Sequence, residues 1–421
     1  MKIKTLLLLI SILLLSCSKT SLNEEENIVI DTSENIDNPK LNTSSTTQKV
    51  PCENGFAGLY PCKGFDLIAQ LTLAELESES ANDNWGWTDP ETGKEYVLSG
   101  LNNGTAFVDI SDPENPLYLG KLLTTSEPSI WRDIKIFKNH AFVVSEAAQH
   151  GLQVFDLTRL RNQTSPQNFS ADSTLTDFGS AHNIAINEAT GFAYVIGSQL
   201  YNGGPVFINI NDPKDPKIVG GYGASSYTHD AQIILYSGPD IDYKDKEILF
   251  GSNSDGGENN QVIIVDVTDK ENPKLINSFT YSNGGYTHQG ILSENQQYFF
   301  LGDELDEIRF GVSTHTRVFD LTDLDNPQLH FNYFADVQAI DHNGYTHKNK
   351  FYLASYSAGM RVIDISKIED KEMVEIGFFD TFKEHNNPTF DGVWNIYPYF
   401  ESGIIALNDI NSGLFLVKAS E

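Results

Sequence analysis

Apolar and polar positions alternate with a period of two along most of this chain, the pattern of β-strands that turn side chains to a core. Residues 180–222 show it most plainly. AHNIAIN (181–187) alternates, EATG (188–191) is a turn, FAYVIGS (192–198) and GPVFINI (204–210) are further strands, and DPKDP (212–216) turns the chain into KIVGGY (217–222). Four strands joined by short turns predict one antiparallel sheet. Both of its faces are substantially apolar, so each must be covered by another sheet.

The unit recurs seven times. The clear copies are VDISDPENP (108–116), INDPKDP (210–216), VDVTDKENP (265–273) and FDLTDLDNP (319–327); the weaker ones are FDLTRLR (155–161), VIDISKIED (362–370) and FLVKAS (415–420). Aligned, they place Asp109, Asp156, Asn209, Asp266, Asp320, Asp364 and Lys418 in one column, at gaps of 47, 53, 57, 54, 44 and 54 residues. A period of this size means a propeller or a solenoid. Sheets that are apolar on both faces bury them by stacking around an axis, so the fold class expected is all-β, a seven-bladed β-propeller of four-stranded antiparallel blades over residues 63–420. Asp109, Asp266, Asp320 and Asp364 end third strands, where a carboxylate can cap the amides of the following turn. Lys418 breaks that rule in the seventh copy. This copy also has no outer strand after it, and FDLIAQLTL (65–73) has the character of PLYLGKL (116–122), the outer strand of blade one. The N-terminal strand is therefore expected to complete the last blade and close the ring.

Residues 1–16 read as a targeting segment, with Lys2 and Lys4 before an apolar run at 6–15 that is too short to span a bilayer. The run ends in Leu14-Leu15-Ser16-Cys17, which resembles a bacterial lipoprotein box and implies cleavage before a lipidated Cys17; an ordinary secretory signal is the alternative. Residues 17–50 are rich in Ser, Thr, Asn and Glu and are expected to be a flexible tether, spanning roughly 30 Å as a random coil. The remaining cysteines, Cys52 and Cys62, bracket a Gly- and Pro-containing turn and are expected to form a disulfide in an exported protein, making 51–62 a disulfide loop.

The formal charge is −30. With no basic patch, such a surface excludes nucleic acid as a partner. It also disfavours anionic headgroups, so membrane attachment would rest on the acyl chains alone. The expected location is the outer membrane, facing the cell surface or the periplasm, with the chain monomeric and an unidentified surface ligand or protein as its partner.

The copies look like the LVIVD-type repeat, and the whole arrangement resembles the bacterial choice-of-anchor B family. The resemblance rests on PCENGFAGLYPC, NDNWGWTDPETGKEY, SIWRDIKIFKNHAFVVSEA, AHNIAINEATGFAYVIGS, YTHDAQIILYSGPD and GYTHQGILSENQQYFFLGDELDE among other runs, covering nearly all of 52–418. It implies the propeller fold and export; it implies no activity.

Candidate chemistry gathers where the blades open. His182, His229, His288 and His342 open four consecutive blades, so the fold would bring four imidazoles to one mouth of the channel, a set suited to a transition metal. Each is followed by a polar residue, Asn183, Asp230, Gln289 or Asn343, able to fix a ring tautomer. Duplication of a structural histidine explains the same pattern without a metal. Trp85, Trp87, Trp131, Arg132, Asp133 and Trp394 sit at the remaining blade openings and can line a ligand site or pack between blades. The acidic run Asp303-Glu304-Leu305-Asp306-Glu307, with Glu146 and Asp255, can offer oxygens to Ca²⁺ or form a solvated loop. No G-x-S-x-G elbow, reactive cysteine or phosphate-cradling glycine loop is present, so no catalytic residue is assigned. Two functions follow: a binding or interaction scaffold working through its channel mouth, or a metal-dependent hydrolase or redox enzyme built on the histidines.

Overall fold

The computed structural model describes residues 49–254, 256 and 259–421. The targeting segment, Cys17 and the tether as far as residue 48 lie outside these, as does Asp255. Seven sheets form the blades of a β-propeller, each built on four antiparallel strands that run in chain order from the hub outward in blades one to six. Blade three shows why the sequence folds this way. Its strands Asn183–Asn187, Phe192–Ile196, Val206–Asn209 and Lys217–Gly221 pair in sequence, with Ala185 opposite Tyr194 and Tyr194 opposite Phe207. Ala193, Val195, Val206 and Ile208 turn to blade two, where they meet Phe142, Val144 and Val154. Tyr194, Ile196 and Phe207 turn the other way, to Leu249, Ile263 and Val265 of blade four. The period-two alternation thus divides one sheet between two interfaces.

Among the described residues the buried apolar side chains form seven clusters, one per blade-to-blade interface. The core is a ring of wedges rather than a single centre. Each wedge holds large aromatics, such as Phe107 stacked on Phe155 at 4.7 Å. Truncating one of these to alanine costs about 3–5 kcal/mol.

The aspartate column caps its turns. The side-chain oxygens of Asp109, Asp156, Asn209, Asp266, Asp320 and Asp364 each accept the amide two residues on, at 2.8–3.1 Å. In the seventh copy the strand Gly413–Ala419 runs through Lys418 and pairs it with Asp66.

That pairing closes the ring. Phe65–Leu71, buried along its whole length, is the outer strand of blade seven beside Gly413–Ala419. Asp66 anchors it, accepting from the Cys52 amide at 2.9 Å and the Ser420 hydroxyl at 2.6 Å and pairing with Lys49 at 3.0 Å. Val50 also belongs to the seam, bridging Leu67. The Cys52–Cys62 disulfide is formed. It ties a hairpin whose strand Tyr60–Lys63 adds to the outer edge of blade six beside Val374–Phe379. Blade one gains a parallel strand, Gln167–Phe169, sent across from blade two. It runs so close to Gly120 that a Cβ there would fall 1.9 Å from the Gln167 carbonyl. Among the described residues no helix is long and apolar enough to cross a membrane.

Candidate functional site

The first strands of successive blades pack side by side around the hub. Several begin with a bulge. Pairing shifts between Thr228 and Asp230, between Thr287 and Gly290, and between Val393 and Asn395, which takes His229, His288 and Trp394 out of register. A bulge re-aims the side chain that it carries. The four imidazoles converge: His182 to His229, His229 to His288 and His288 to His342 are each 4.3 Å between ring centroids, and Trp394 follows His342 at 5.0 Å. Together with Trp131, Arg132, Asp133, Asn183, Asn343 and Asp83 they line a cavity of about 20 Å³, room for about one water or ion.

Three of the rings are held neutral. Burial, with repulsion between neighbouring imidazoles, pushes His229 and His288 well below the usual histidine range. Burial pushes His342 down to about 3. His229 Nδ1 donates to the His288 carbonyl at 3.2 Å and His342 Nδ1 to the Trp394 carbonyl at 2.6 Å. These bonds assign the lone pair to Nε2 in both rings. His288 is 2% exposed, yet its Nδ1 meets no hydrogen-bond partner among the described residues.

Glu304 completes the group. Its carboxylate stands 3.6 Å from His288 Nε2 and 3.7 Å from His342 Nε2. One ligand atom each from His229, His288 and Glu304 lie within 4.8 Å of one another. A lone pair of His342 facing a carboxylate oxygen places two acceptors together, an arrangement that a cation between them satisfies. Tyr356 steadies the carboxylate, its hydroxyl donating to Oε1 at 3.0 Å. His182 instead pairs with Glu146 at 2.5 Å.

The polar followers form a collar one layer deeper and do not fix the imidazole tautomers. Asp133 accepts the Ile184 amide at 2.7 Å and Gln289 the Gly344 amide at 2.9 Å, each from the next blade. Asn343 donates to Asn395 at 3.1 Å, while Asn183 and Asp230 accept the amides that follow them, Ile184 and Ala231. Asp83 and Asn395 belong to this collar: Asp83 accepts the Ile134 amide at 2.9 Å and an amide hydrogen of Asn395. The signal for Asp83 was present, since Asn82-Asp83 aligns with Arg132-Asp133. Burial, reinforced by Asp133, raises the Asp230 carboxyl to about 7.

The two tryptophans of blade one are misplaced by the sequence reading. The strand Ala81–Thr88 opens with Asn82-Asp83, which puts Trp85 further along the channel, against Tyr345, Tyr397 and Lys135. Trp87 is core, stacked on Tyr96 at 5.0 Å with its indole nitrogen donating to Asn139. Arg132 is fully buried, donating to the Leu101 carbonyl at 3.1 Å and to His150 at 2.9 Å, which leaves the imidazole of His150 as the acceptor. Burial and that guanidinium push His150 down to about 4.

The acidic run is not a solvated loop. Asp303, Asp306 and Glu307 are buried. Asp303 is saturated by the Gly285, Tyr286 and Leu305 amides and the Tyr281 hydroxyl. Burial, then Asp341 and Asp306, raises Glu307 to about 11, and burial, then Asp306 and Asp303, raises Asp341 well above the carboxylate range.

No family model matches the chain, and no curated protein matches it in sequence. Among solved structures it is similar to the β-propeller domain of Cps50 (Swd1) from Myceliophthora thermophila, with a TM-score of 0.52 and 11% identity over 82% of this chain and 97% of that one. It is also similar to a protein from Lactobacillus plantarum, with a TM-score of 0.50 and 13% identity over 78% and 88% of the two chains. At these identities the likeness shows the fold alone.

Proposed function

We propose that this chain is an exported, lipid-anchored binding module whose hub holds one transition-metal ion on His229, His288 and Glu304, with His342 beside it, and that its ligand docks on that ion. One observation carries the metal: the three ligand atoms fall within 4.8 Å of one another. Ligands about 2.0–2.2 Å from a shared ion lie up to about 4.4 Å apart, so a small rotation of Glu304 closes the set. Two neutral imidazoles and a carboxylate suit Zn²⁺, Fe²⁺ or Cu²⁺ and leave a coordination position open. An open position serves a binding site and equally a hydrolytic or redox centre, and it is the feature that keeps the enzyme reading as the alternative. The lipobox-like residues 14–17 and the resemblance to the choice-of-anchor B family support export and anchoring.

Elemental analysis of the purified protein tests the metal. About one transition-metal ion per chain is expected, lost in His229→Ala and in His288→Ala, with melting lowered by a chelator. Metal-free wild-type protein whose melting ignores the chelator removes this reading. Labelling with palmitate, and its loss in Cys17→Ser, tests the anchor separately.

A further inference from the structure

The histidine centre borders a space that its own ligands do not account for. The hub cavity of about 20 Å³ is lined by His229 and His288, two of the proposed ligands, but not by the third, Glu304. Carboxylate and cavity therefore meet the imidazoles from different directions. An ion shared with Glu304 sits at the edge of the cavity, and its open coordination position faces in. Trp131 and Trp394 line the same space, with Asp133 and Asn183 of the collar. These walls have little freedom. The Trp394 ring packs 5.0 Å from His342 and 6.1 Å from Tyr356. The Trp131 carbonyl accepts the Ser145 hydroxyl at 2.8 Å, and Asp133 is held by Lys135 at 2.7 Å.

A space of this size holds about one water. The group that reaches the ion is therefore little wider than an oxygen atom, and an imidazole has to displace an indole to enter. The cavity also offers a bond to the outer atom of a slim ligand. Asn183 spends its side-chain oxygen on the Ile184 amide at 2.8 Å, which leaves its amide hydrogens without an acceptor among the described residues. Two histidines and a carboxylate with open positions are the ligand set of non-haem Fe²⁺ centres that take dioxygen. At haem iron, the donors and the steric access on the ligand side decide which small molecule binds, and the same physics applies to any iron centre with a walled open position.

We propose that the hub takes a diatomic ligand of the size and polarity of dioxygen, bound to Fe²⁺ on His229, His288 and Glu304. Asn183 donates to its outer atom, and Trp131 and Trp394 exclude wider ligands. This rests on the metal reading given above and narrows it to one metal and one ligand class.

The test loads the full-length protein with Fe²⁺ under anaerobic conditions and titrates it with nitric oxide, a diatomic probe whose iron complex has its own EPR signal and visible absorption. One nitrosyl per iron is expected, and imidazole should not displace it. Trp394→Ala and, independently, Trp131→Ala should let imidazole in. Asn183→Asp keeps the bond to Ile184 and removes the donor; it should bind the same iron but hold nitric oxide about tenfold less tightly. Iron uptake without a nitrosyl signal overturns the proposal and leaves the metal reading standing, whereas failure to take up iron removes both. Displacement of nitric oxide by imidazole in the wild type, to the extent seen in the tryptophan variants, overturns the size limit, and undiminished affinity in Asn183→Asp overturns the role of the donor.

Discussion

The hydroxyl of Tyr356 donates to the carboxylate of Glu304 across 3.0 Å, and the tyrosine holds a backbone φ of +27° to do so. A bulky residue with positive φ is strained, and such strain persists where the surroundings impose it. The ring is wedged among His342, Trp394 and Phe390, so its direction is fixed. Tyr356 is thus a positioning residue for the carboxylate. Tyr356→Phe should keep the fold and weaken transition-metal affinity about 10–100-fold, the usual effect of losing an outer hydrogen bond to a ligand. Competition against a chelator of known affinity measures it, and wild-type affinity in the variant would exclude the role.

Asp380, at the end of blade six, carries a pH signature remote from the hub. It is 2% exposed, and burial raises its carboxyl to about 7 against the hydrogen bond that the Phe382 amide donates and the charge of Arg361. The folded protein then keeps a proton that the unfolded chain releases near pH 4. Stability from this group is full below that pH and is lost as pH rises through about 7, a change on the order of 4 kcal/mol. Asp380→Asn should remove that slope and be more stable than wild type at pH 8. Urea unfolding at pH 5 and pH 8 decides; parallel pH dependence in both proteins would contradict the assignment.

Strand Phe65–Leu71 buries Phe65, Leu67, Ile68 and Leu71 in the interfaces flanking blade seven. At about 1.5–3 kcal/mol each, their loss removes roughly 6–12 kcal/mol, comparable to the whole stability of a typical domain. A chain starting at residue 49 should therefore melt like the full-length protein, while one starting at residue 73 should not fold cooperatively. Circular dichroism melts compare the two. Cooperative melting of the shorter chain at an undiminished Tm would mean that the seam is not what holds the ring.

The blades were legible because each third strand ends on an Asx residue that caps its own turn, so a local interaction wrote itself into the chain at nearly every copy. The closing strand was legible for the same local reason, its resemblance to 116–122. Less of the site could be read. Trp85 looked like a blade opening because aromatic residues mark the others, but the polar pair Asn82-Asp83 takes the hub position and shifts the tryptophan along the strand. The followers of the histidines looked like outer ligands from their spacing, whereas Asn183 and Asp230 accept the amides that follow them and Gln289 and Asn343 bond to the next blade. Glu304 and Tyr356 come from loops after the second strands of two different blades, and nothing in their own surroundings announces that they meet. Asp341 looked like part of a blade opening; its burial against residues some thirty-five positions earlier is a product of the closed ring alone.

Blade seven has a consequence for the order in which the molecule can be put together. Its outer strand belongs to residues 65–71 and its other three to residues 393–419. An emerging chain must therefore keep an apolar ribbon waiting, unpaired, through six blades' worth of synthesis, and exposed ribbons of this kind are prone to wrong partners. The disulfide-tied hairpin offers a harbour: Tyr60–Lys63 docks on Val374–Phe379, one blade before the berth exists. Once moored there, the ribbon needs only to swing across to meet its neighbour, turning a search over the whole chain into a step of one blade's width.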